Sequence, residues 1–271
     1  MKGVARREVR RLSKEGLQPA ALDDVVQEEP LEIRISGDTL AVTMRTPGAD
    51  RELVAGFLLG EGVIASRADL GAIAHCGRPT DEGYGNTIEV TPAPGVVLDV
   101  ERTRRGTLTT SACGVCGRQT IDDVIDRARP LPEGPSVAPA TIRAAVEGLR
   151  DLQPRFALTG GLHAAALLDA NGGVLAAFED VGRHNAVDKA VGALIVAGKL
   201  PEAKLLVVSS RAGFEIVQKA CAAGVPVVAS VSAPSSLAID LALAMNVTLC
   251  GFVRNGGMSI YAHPERLTSG H

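Results

Sequence analysis

A chain of 271 residues, 46% of them hydrophobic and 22% charged, is long enough to bury the core of one large domain or two ordinary ones. Its formal net charge of −3 gives no general attraction to nucleic acids or to anionic membranes. Only 3% of the residues are aromatic and none is tryptophan, so platforms on which bases could stack are scarce. The composition therefore predicts no nucleic-acid partner.

The chain begins with a basic segment, residues 1–16, which we predict to be a flexible tail because four arginines lie between Lys2 and Lys14. No apolar run follows these charges, so no secretory signal is predicted. The longest apolar stretch, Leu237–Val253, contains Asp240 and Asn246, which favours a buried helix and strand over a membrane span. An odd number of cysteines, five, favours a reducing compartment. We therefore expect a cytoplasmic protein with no membrane association.

Residues 17–135 are predicted to form a smaller, strand-rich α+β domain. Alternating apolar and polar residues around Ser36-Gly37-Asp38 predict a hairpin, and a helical stripe predicts one helix. The predicted strands are Leu31–Ile35, Leu40–Met44, Ile88–Val90 and Val96–Val100, and the predicted helix is Asp50–Leu59. From Glu101 to Gly117 no periodicity is present, so this stretch is interpreted as a long mobile loop.

Residues 136–271 are predicted to form a second, α/β domain. Thr120 and Asp123 predict the start of a helix before it, and four prolines and a glycine within Arg129–Pro139 predict a linker. Helices and strands then alternate, which predicts an α/β sandwich with a largely parallel sheet. The predicted helices are 140–152, 185–196, 214–223 and 237–244, and the predicted strands are 163–168, 174–178, 205–209, 225–230 and 247–252.

Two thiols, Cys113 and Cys116, lie two residues apart between glycines in the predicted loop. Such a pair can share a metal, form a disulfide, or let one sulfur carry a group while the other assists. A structural zinc site normally needs four ligands, and the sequence has a single CxxC. Arg118 and the start of the following helix favour the thiolate form, which attacks or holds a transferred sulfur. Zinc binding, a redox dithiol and sulfur transfer all stay open at this point.

Several strand ends of the α/β domain carry groups suited to anions. Arg183 and His184 stand at a helix start, where backbone N–H groups already attract negative charge. Arg211 follows a strand, the place where open α/β sheets bind ligands. An arginine and two glycines end the last predicted strand, in Phe252-Val253-Arg254-Asn255-Gly256-Gly257. We expect these ends to meet at one rim and to bind a large anionic ligand.

Two further groups of this domain are interpreted as having no catalytic role. Glu215 and Lys219, one helical turn apart, are interpreted as an exposed ion pair. His163 invites comparison with zinc deaminases, but Ala165 stands where their catalytic glutamate would be. His163 is therefore interpreted as a strand histidine near the ligand rim.

The assembled motifs resemble the FdhD family of formate dehydrogenase accessory sulfurtransferases. The resemblance covers nearly the whole chain after the basic tail. It rests on the motifs CGVCG, TGGLHAA, EDVGRHNAVDKAVG, SSRAGFEIVQKA, SAPSSLA and GFVRNGGMSIYAHPER. Several long motifs in the right order are far more specific than one CxxC.

The resemblance implies a sulfurtransferase. A cysteine desulfurase would give sulfur to Cys113 as a persulfide, with Cys116 supporting transfer or resolution. The sulfur would pass to the molybdenum cofactor in its bis-guanine-dinucleotide form, contacted by Phe252–Gly257, before the cofactor enters formate dehydrogenase. A guanine nucleotide would be able to occupy the same site.

The resemblance also implies a homodimer and, for the C-terminal half, a cytidine-deaminase-like three-layer sandwich. No resident metal is predicted. Two other functions stay open: a chaperone that binds the cofactor without transferring sulfur, and a module stabilised by zinc.

Overall fold

The computed structural model describes residues 2–78, 80–81, 83–98, 129–134 and 137–267. Cys113, Cys116 and the helix predicted near Thr120 lie outside these residues, as does most of the predicted mobile loop.

The N-terminal segment forms two small antiparallel ribbons, a finding that differs from the flexible tail predicted for residues 1–16. Strand β1 (Val4–Val9) pairs with β4 (Ala21–Val26), and β2 (Leu12–Ser13) pairs with β3 (Gly16–Leu17). The prediction was wrong here because the basic residues of β1 find acidic partners that are distant in sequence. Arg6, for example, pairs with Asp24 on the neighbouring strand at 3.3 Å.

Four strands form the next sheet, in the order β6-β5-β8-β7. Their bounds are Glu29–Ile35 (β5), Asp38–Arg45 (β6), Leu70–His75 (β7) and Thr87–Pro92 (β8). The predicted hairpin is confirmed, with Ser36 and Gly37 as its turn at φ values of 54° and 86°. Strand β7 was not predicted. The strand predicted from Val96 was wrong over residues 96–98, since the Val96 N–H closes a turn onto the Ala93 carbonyl.

One helix, α1 (Asp50–Gly60), follows β6 as predicted. It packs against α4 (Arg183–Ala197), a helix of the C-terminal half, so closely that the two backbones come into contact. A Cβ on Gly56 would overlap the backbone of Asp188, and a Cβ on Gly192 would overlap the carbonyl of Glu52. Glycine is therefore needed at both positions for the two helices to approach.

The C-terminal half contains the remaining elements. Its helices are α2 (Pro139–Gly148), α3 (Pro154–Thr159), α4, α5 (Phe214–Ala222) and α6 (Ser236–Ala244), and its strands are β9 (His163–Leu168), β10 (Val174–Asp180), β11 (Leu205–Val208), β12 (Val227–Ser230), β13 (Thr248–Arg254) and β14 (Gly257–Ala262). The predicted helices and strands of this half are confirmed within a few residues at their ends. The short helix α3 and the strand β14 were not predicted.

The sheet of this half has the order β10-β9-β11-β12-β13-β14. Only the β11–β12 and β12–β13 pairs are parallel, and the other three pairs are antiparallel. The predicted largely parallel sheet was therefore wrong. The crossover helices α5 and α6 produce the parallel centre, whereas tight hairpins produce antiparallel pairs at both edges.

Alternate residues of the central strands pack on opposite faces of this sheet. Leu206, Val208 and Val228 face the cluster that includes α4, α5 and α6, while Leu205 and Val207 face the cluster that includes α2. The result is a three-layer mixed α/β arrangement, which confirms the predicted class. The cytidine-deaminase-like assignment stays a prediction.

The larger hydrophobic cluster also contains Leu31 and Ile33 of β5 together with Leu53 and Leu58 of α1. These residues belong to the predicted N-terminal domain, and they share one cluster with Leu206 of β11. Among the described residues, the boundary predicted near residue 135 does not separate two cores.

Candidate functional site

Several of the residues predicted to bind an anion lie at one edge of the six-stranded sheet, the edge formed by the ends of its strands. The parallel strands β11, β12 and β13 end at this edge, and the antiparallel strand β9 begins there. Two backbone contacts join the loops that follow: Ala212 bridges to Pro234, and the Phe252 N–H donates to the Ser232 carbonyl at 3.1 Å. Such an edge is where open α/β sheets bind ligands.

A cavity of about 610 Å³ opens at this edge, on the face of the sheet covered by α2. Helix α2 and the segment after it supply Val146, Glu147, Leu149, Arg150, Gln153 and Phe156. The loop before β9 and the ends of the central strands supply Gly160–His163, Ser209, Val231 and Val253–Asn255. Its volume lies in the range typical of small-molecule sites.

Three charged residues line this cavity. Among the described residues, the carboxylate of Glu147 and the guanidinium groups of Arg150 and Arg254 have no ion-pair partner. Each guanidinium lies over an aromatic ring instead: Arg150 over Phe156 at 4.6 Å from its centroid, and Arg254 over Phe252 at 5.5 Å. Unpaired charges beside an apolar wall are suited to a ligand with both polar and planar parts.

The segment Phe252–Gly257 forms the end of β13 and the turn into β14. Asn255 and Gly256 are the two turn residues, with φ values of 51° and 75°, as a type I′ hairpin requires. Gly256 therefore serves the turn itself. Phe252 also has a positive φ, 51°, and its side chain is exposed. A bulky residue in this conformation is strained, and such strain often occurs at functional sites.

Arg183 and His184 lie at the same edge but on the opposite face of the sheet, in the first turn of α4. The Nε2 of His184 forms an ion pair with the carboxylate of Glu215 on α5. Burial acts to raise the pKa of Glu215, but the hydrogen bond to His184 and the positive charges of His184, Lys219 and Arg183 together outweigh it and lower the pKa below its ordinary value. The carboxylate form of Glu215 is thus favoured.

Lys219 pairs with Asp188 of α4 at 2.7 Å, and both side chains are buried. The prediction of an exposed Glu215–Lys219 pair was therefore wrong. Local spacing favours that pair, but the packing of α5 on α4 turns both residues toward partners on the other helix. Burial raises the pKa of Asp188 against the opposing effect of Lys219. Burial acts to lower the pKa of Lys219, but the hydrogen bond to Asp188 and the negative charges of Asp188, Glu61 and Glu215 together outweigh it and raise the pKa.

Asp180, fully buried at the end of β10, has a structural role. One oxygen accepts hydrogen bonds from the Gly182 N–H at 2.8 Å and from the Asn185 amide at 3.2 Å. The other accepts from Lys189 at 2.6 Å and from the Thr46 N–H at 3.1 Å. These bonds hold the start of α4 and tie it to the end of β6.

His163 is half-buried between the cavity and α4. Burial lowers the pKa of His163, and the positive charges of Arg183 and His184 lower it further, although Asp180 opposes them. The neutral imidazole is therefore favoured. Next to it, the Ser209 hydroxyl accepts a hydrogen bond from the Ala164 N–H at 2.9 Å, which leaves its own proton available to a ligand.

Two of the described thiols are unsuited to nucleophilic chemistry. Burial raises the pKa of both Cys221 and Cys250 to about 12, so the thiol form dominates at neutral pH. This agrees with their interpretation as core residues. In the part of the chain that the structure describes, no three His, Cys, Asp or Glu side chains are grouped so as to hold a metal ion.

The structure separates the predicted rim into two parts. Val253, Arg254 and Asn255 line the cavity, Arg183 and His184 lie on the other face, and Arg211 is exposed in the loop after β11. Sequence reasoning missed the contributions of α2 and α3. The only signal available there was the spacing of Glu147 and Arg150, which places them on one side of a helix.

Comparison with known proteins gives a consistent family. The model of the FdhD/NarQ family matches residues 26–268. A protein of Anaeromyxobacter dehalogenans (strain 2CP-1) named sulfur carrier protein FdhD is 58% identical over 92% of this chain and 90% of its own length. A protein of the same name from Mycobacterium bovis is 47% identical over 98% of this chain and 99% of its own length.

A solved structure shows the same fold. It is the crystal structure of a protein from Desulfotalea psychrophila assigned as a formate dehydrogenase accessory protein. The two chains superpose with a TM-score of 0.77, with 97% of this chain and 99% of the other covered, at 23% sequence identity. Over the residues described, no helix combines the length and apolar character that crossing a membrane requires.

Proposed function

The chain belongs to the FdhD/NarQ family, and we propose that it is a sulfur carrier that serves a formate dehydrogenase. The observation that carries this proposal is 58% identity, over 92% of the chain, to a protein named as a sulfur carrier. Cys113 and Cys116 are the candidate carriers because they form the CGVCG motif on which the family resemblance partly rests. Cys221 and Cys250 are unsuited, because both are buried in the core and burial raises the pKa of each thiol to about 12.

In this proposal Cys113 receives sulfur from the persulfide of a cysteine desulfurase. The Cys113 thiolate attacks the terminal sulfur of the donor, a new S–S bond forms on Cys113, and the donor leaves as a thiolate. Attack by the Cys116 thiolate on the Cys113 sulfur then forms a Cys113–Cys116 disulfide and expels the carried sulfur as hydrosulfide. The two thiols supply the two electrons, and a dithiol reductant restores them.

The acceptor in this proposal is the molybdenum cofactor in its bis-guanine-dinucleotide form, bound as a substrate at the cavity. Two features support it: the volume of about 610 Å³, which has room for one nucleotide part of this cofactor, and the guanidinium of Arg254, which has no ion-pair partner among the described residues. Arginine recognises phosphate groups well because its fork of N–H donors matches their oxygens. Arg183, His184 and Arg211, which do not line the cavity, are proposed to contact the more distant parts of this large anion.

The test is a sulfur-loading experiment. The purified protein is incubated with a cysteine desulfurase and cysteine, and its intact mass is measured with and without a reductant. We expect a gain of one sulfur atom that the reductant removes and that Cys113→Ala abolishes. Cys250→Ala is the matched control, because a buried thiol should not affect loading. Absence of the gain, or an unchanged gain in Cys113→Ala, contradicts sulfur transfer.

The same preparations test the other proposals. A chaperone without sulfur transfer would bind a guanine nucleotide but show no sulfur gain, and a zinc-stabilised module would contain one zinc per chain that Cys116→Ala removes. The homodimer remains a prediction, tested by the mass of the assembly in solution. The cytoplasmic location also remains a prediction, tested by cell fractionation.

A further inference from the structure

We infer that the N-terminal arm, residues 2–26, is the surface on which the enzyme that receives the cofactor docks. The inference rests on the proposed function, because it says where one of the partners proposed there binds. The match to the family model begins at residue 26, so all but the last residue of the arm lie outside the matched part of the chain.

The arm is one long hairpin, with β1 and β4 at its base and β2 and β3 at its tip. The first pairing continues into the second through the Gln18 N–H, which donates to the Arg11 carbonyl at 2.9 Å. From residue 10 to residue 22 no residue of the arm is buried. A hairpin of two strands is only marginally stable in water, so the tip gains stability when a partner covers it.

Three leucines of the arm are exposed and belong to neither hydrophobic cluster of the protein. Leu12 is 79% exposed, Leu17 is 61% exposed and Leu22 is 68% exposed. Leu12 and Leu17 are cross-strand partners at the tip, so their side chains lie on the same side of the ribbon and form one apolar spot. Because this spot contributes nothing to the core, it is available for contact with another protein.

Basic side chains flank this apolar spot. The arm contains six basic and four acidic residues, in a chain whose formal net charge is −3. Arg6 and Arg11 pair with acidic side chains of β4, whereas Arg7, Arg10 and Lys14 are exposed and have no ion-pair partner among the described residues. The partner that matches the arm therefore presents an acidic face around an apolar pocket.

The base of the arm lies against the segment that lines the cavity, and this position favours one partner. The Nε of Arg155 donates to the Lys2 carbonyl at 3.0 Å, and a Cβ on Gly161 would lie 3.1 Å from Cγ1 of Val26. Gly161 lines the cavity, as does Phe156, the neighbour of Arg155. An enzyme that takes the cofactor from the cavity has to approach this side of the protein. A desulfurase needs access to a thiol only.

The experiment measures binding of the full chain to a formate dehydrogenase purified without its molybdenum cofactor, by biolayer interferometry. The leucine variant, Leu12→Thr with Leu17→Thr, removes the apolar spot and keeps residues that favour strands. It should bind at least about tenfold more weakly than the wild type, because a few buried apolar contacts carry most of the affinity of an interface. Arg10→Ala with Lys14→Ala should lower the salt dependence of the affinity, because two unpaired charges are lost.

Val174→Thr with Leu243→Thr is the matched control, because both side chains are about half exposed and lie outside the arm. It should bind the enzyme as the wild type does. The inference is overturned if the wild type does not bind the enzyme or if the leucine variant binds it equally well. It is also overturned if the leucine variant instead loses binding to the desulfurase, to vesicles of phosphatidylglycerol or to a second copy of the chain, since the arm then has another occupant.

Sulfur loading of Cys113 separates this inference from the proposed function. The leucine variant should load sulfur to the wild-type level, because loading involves the desulfurase and not the recipient enzyme. A protein that loads sulfur but binds the enzyme equally well with and without the leucines refutes the docking surface alone. A protein that docks through the arm but never loads sulfur refutes the sulfur-carrier proposal alone.

Discussion

At the carboxyl ends of the central strands, the two faces of the six-stranded sheet differ in how their charged side chains are paired. On the α4–α5 face, two ion pairs join the helices: His184 with Glu215, and Asp188 with Lys219. On the α2 face, Glu147, Arg150 and Arg254 line a cavity without ion-pair partners among the described residues. An unpaired buried charge is costly, so the buried Asp188 and Lys219 need each other as partners. The charges around the cavity are exposed, so they need no partner within the protein and are available to a ligand.

The first prediction concerns the buried ion pair between Asp188 and Lys219 on the α4–α5 face. Asp188→Ala leaves Lys219 buried without its partner at 2.7 Å, and we expect the free energy of unfolding to fall by about 3–5 kcal/mol. Denaturant titration followed by circular dichroism measures the change. Asp240→Ala, an exposed acidic residue of α6, should change stability by no more than about 0.5 kcal/mol. Equal effects of the two substitutions would contradict the role of the buried pair.

The second prediction tests the helix contact that supports this face. Gly192→Ala places a Cβ against the carbonyl of Glu52 and should force α1 away from α4, at a cost of about 1–3 kcal/mol. Gly148→Ala, at the end of α2, meets no atom within 4 Å and should instead stabilise the protein by about 0.4–1 kcal/mol. Thermal unfolding of both variants measures the opposite signs; destabilisation by Gly148→Ala would contradict this account.

The third prediction concerns the unpaired face. Arg254→Ala should weaken GDP binding by about tenfold, because a charge-assisted hydrogen bond to phosphate is lost. Stability should change by no more than about 0.5 kcal/mol, since the side chain is exposed. Calorimetry and denaturant titration measure the two quantities, and sulfur loading of Cys113 should be unchanged. Arg51→Ala, exposed on α1, is the control, and equal GDP affinity in both variants would refute the assignment.

The fourth prediction concerns the contribution of Glu215, on the α4–α5 face, to the pH dependence of stability. The pKa of Glu215 is lowered in the folded state, so its stabilising contribution is present above its ordinary value of 4.5 and is lost as the pH falls through the lower folded value. Glu215→Gln should therefore reduce the loss of stability between pH 5 and pH 3, within the ordinary titration range of carboxylates. Urea titrations across this range measure it. Glu202→Gln, exposed outside the pair, should retain the wild-type pH dependence.

Local patterns predicted much of the fold. The hairpin around Ser36 and Gly37 depends only on alternation and on turn residues, and it is confirmed. The helices α4, α5 and α6 follow from short-range periodicity and are also confirmed. The strands of residues 4–9 and 21–26 were missed because their stability depends on cross-strand pairs such as Arg6 with Asp24, which a local reading does not detect.

The candidate site was predicted only in part. Val253 and Arg254 end the strand β13 and Asn255 follows it, so their position at the end of a strand was predictable, and in the structure they line the cavity. Glu147 and Phe156 carry no recognisable motif. They reach the cavity because α2 packs across the sheet, which is a consequence of tertiary contacts between distant segments.

The sequence by itself determined the family, the candidate thiols Cys113 and Cys116, and most helices and strands, because motifs and periodicities are properties of neighbouring residues. Only the tertiary structure decided that the sheet is mixed and that Lys219 pairs with Asp188. It also decided which charges lie unpaired around the cavity. Those outcomes depend on which surfaces are buried against each other, and burial determines whether a charge needs a partner within the protein or is available to a ligand.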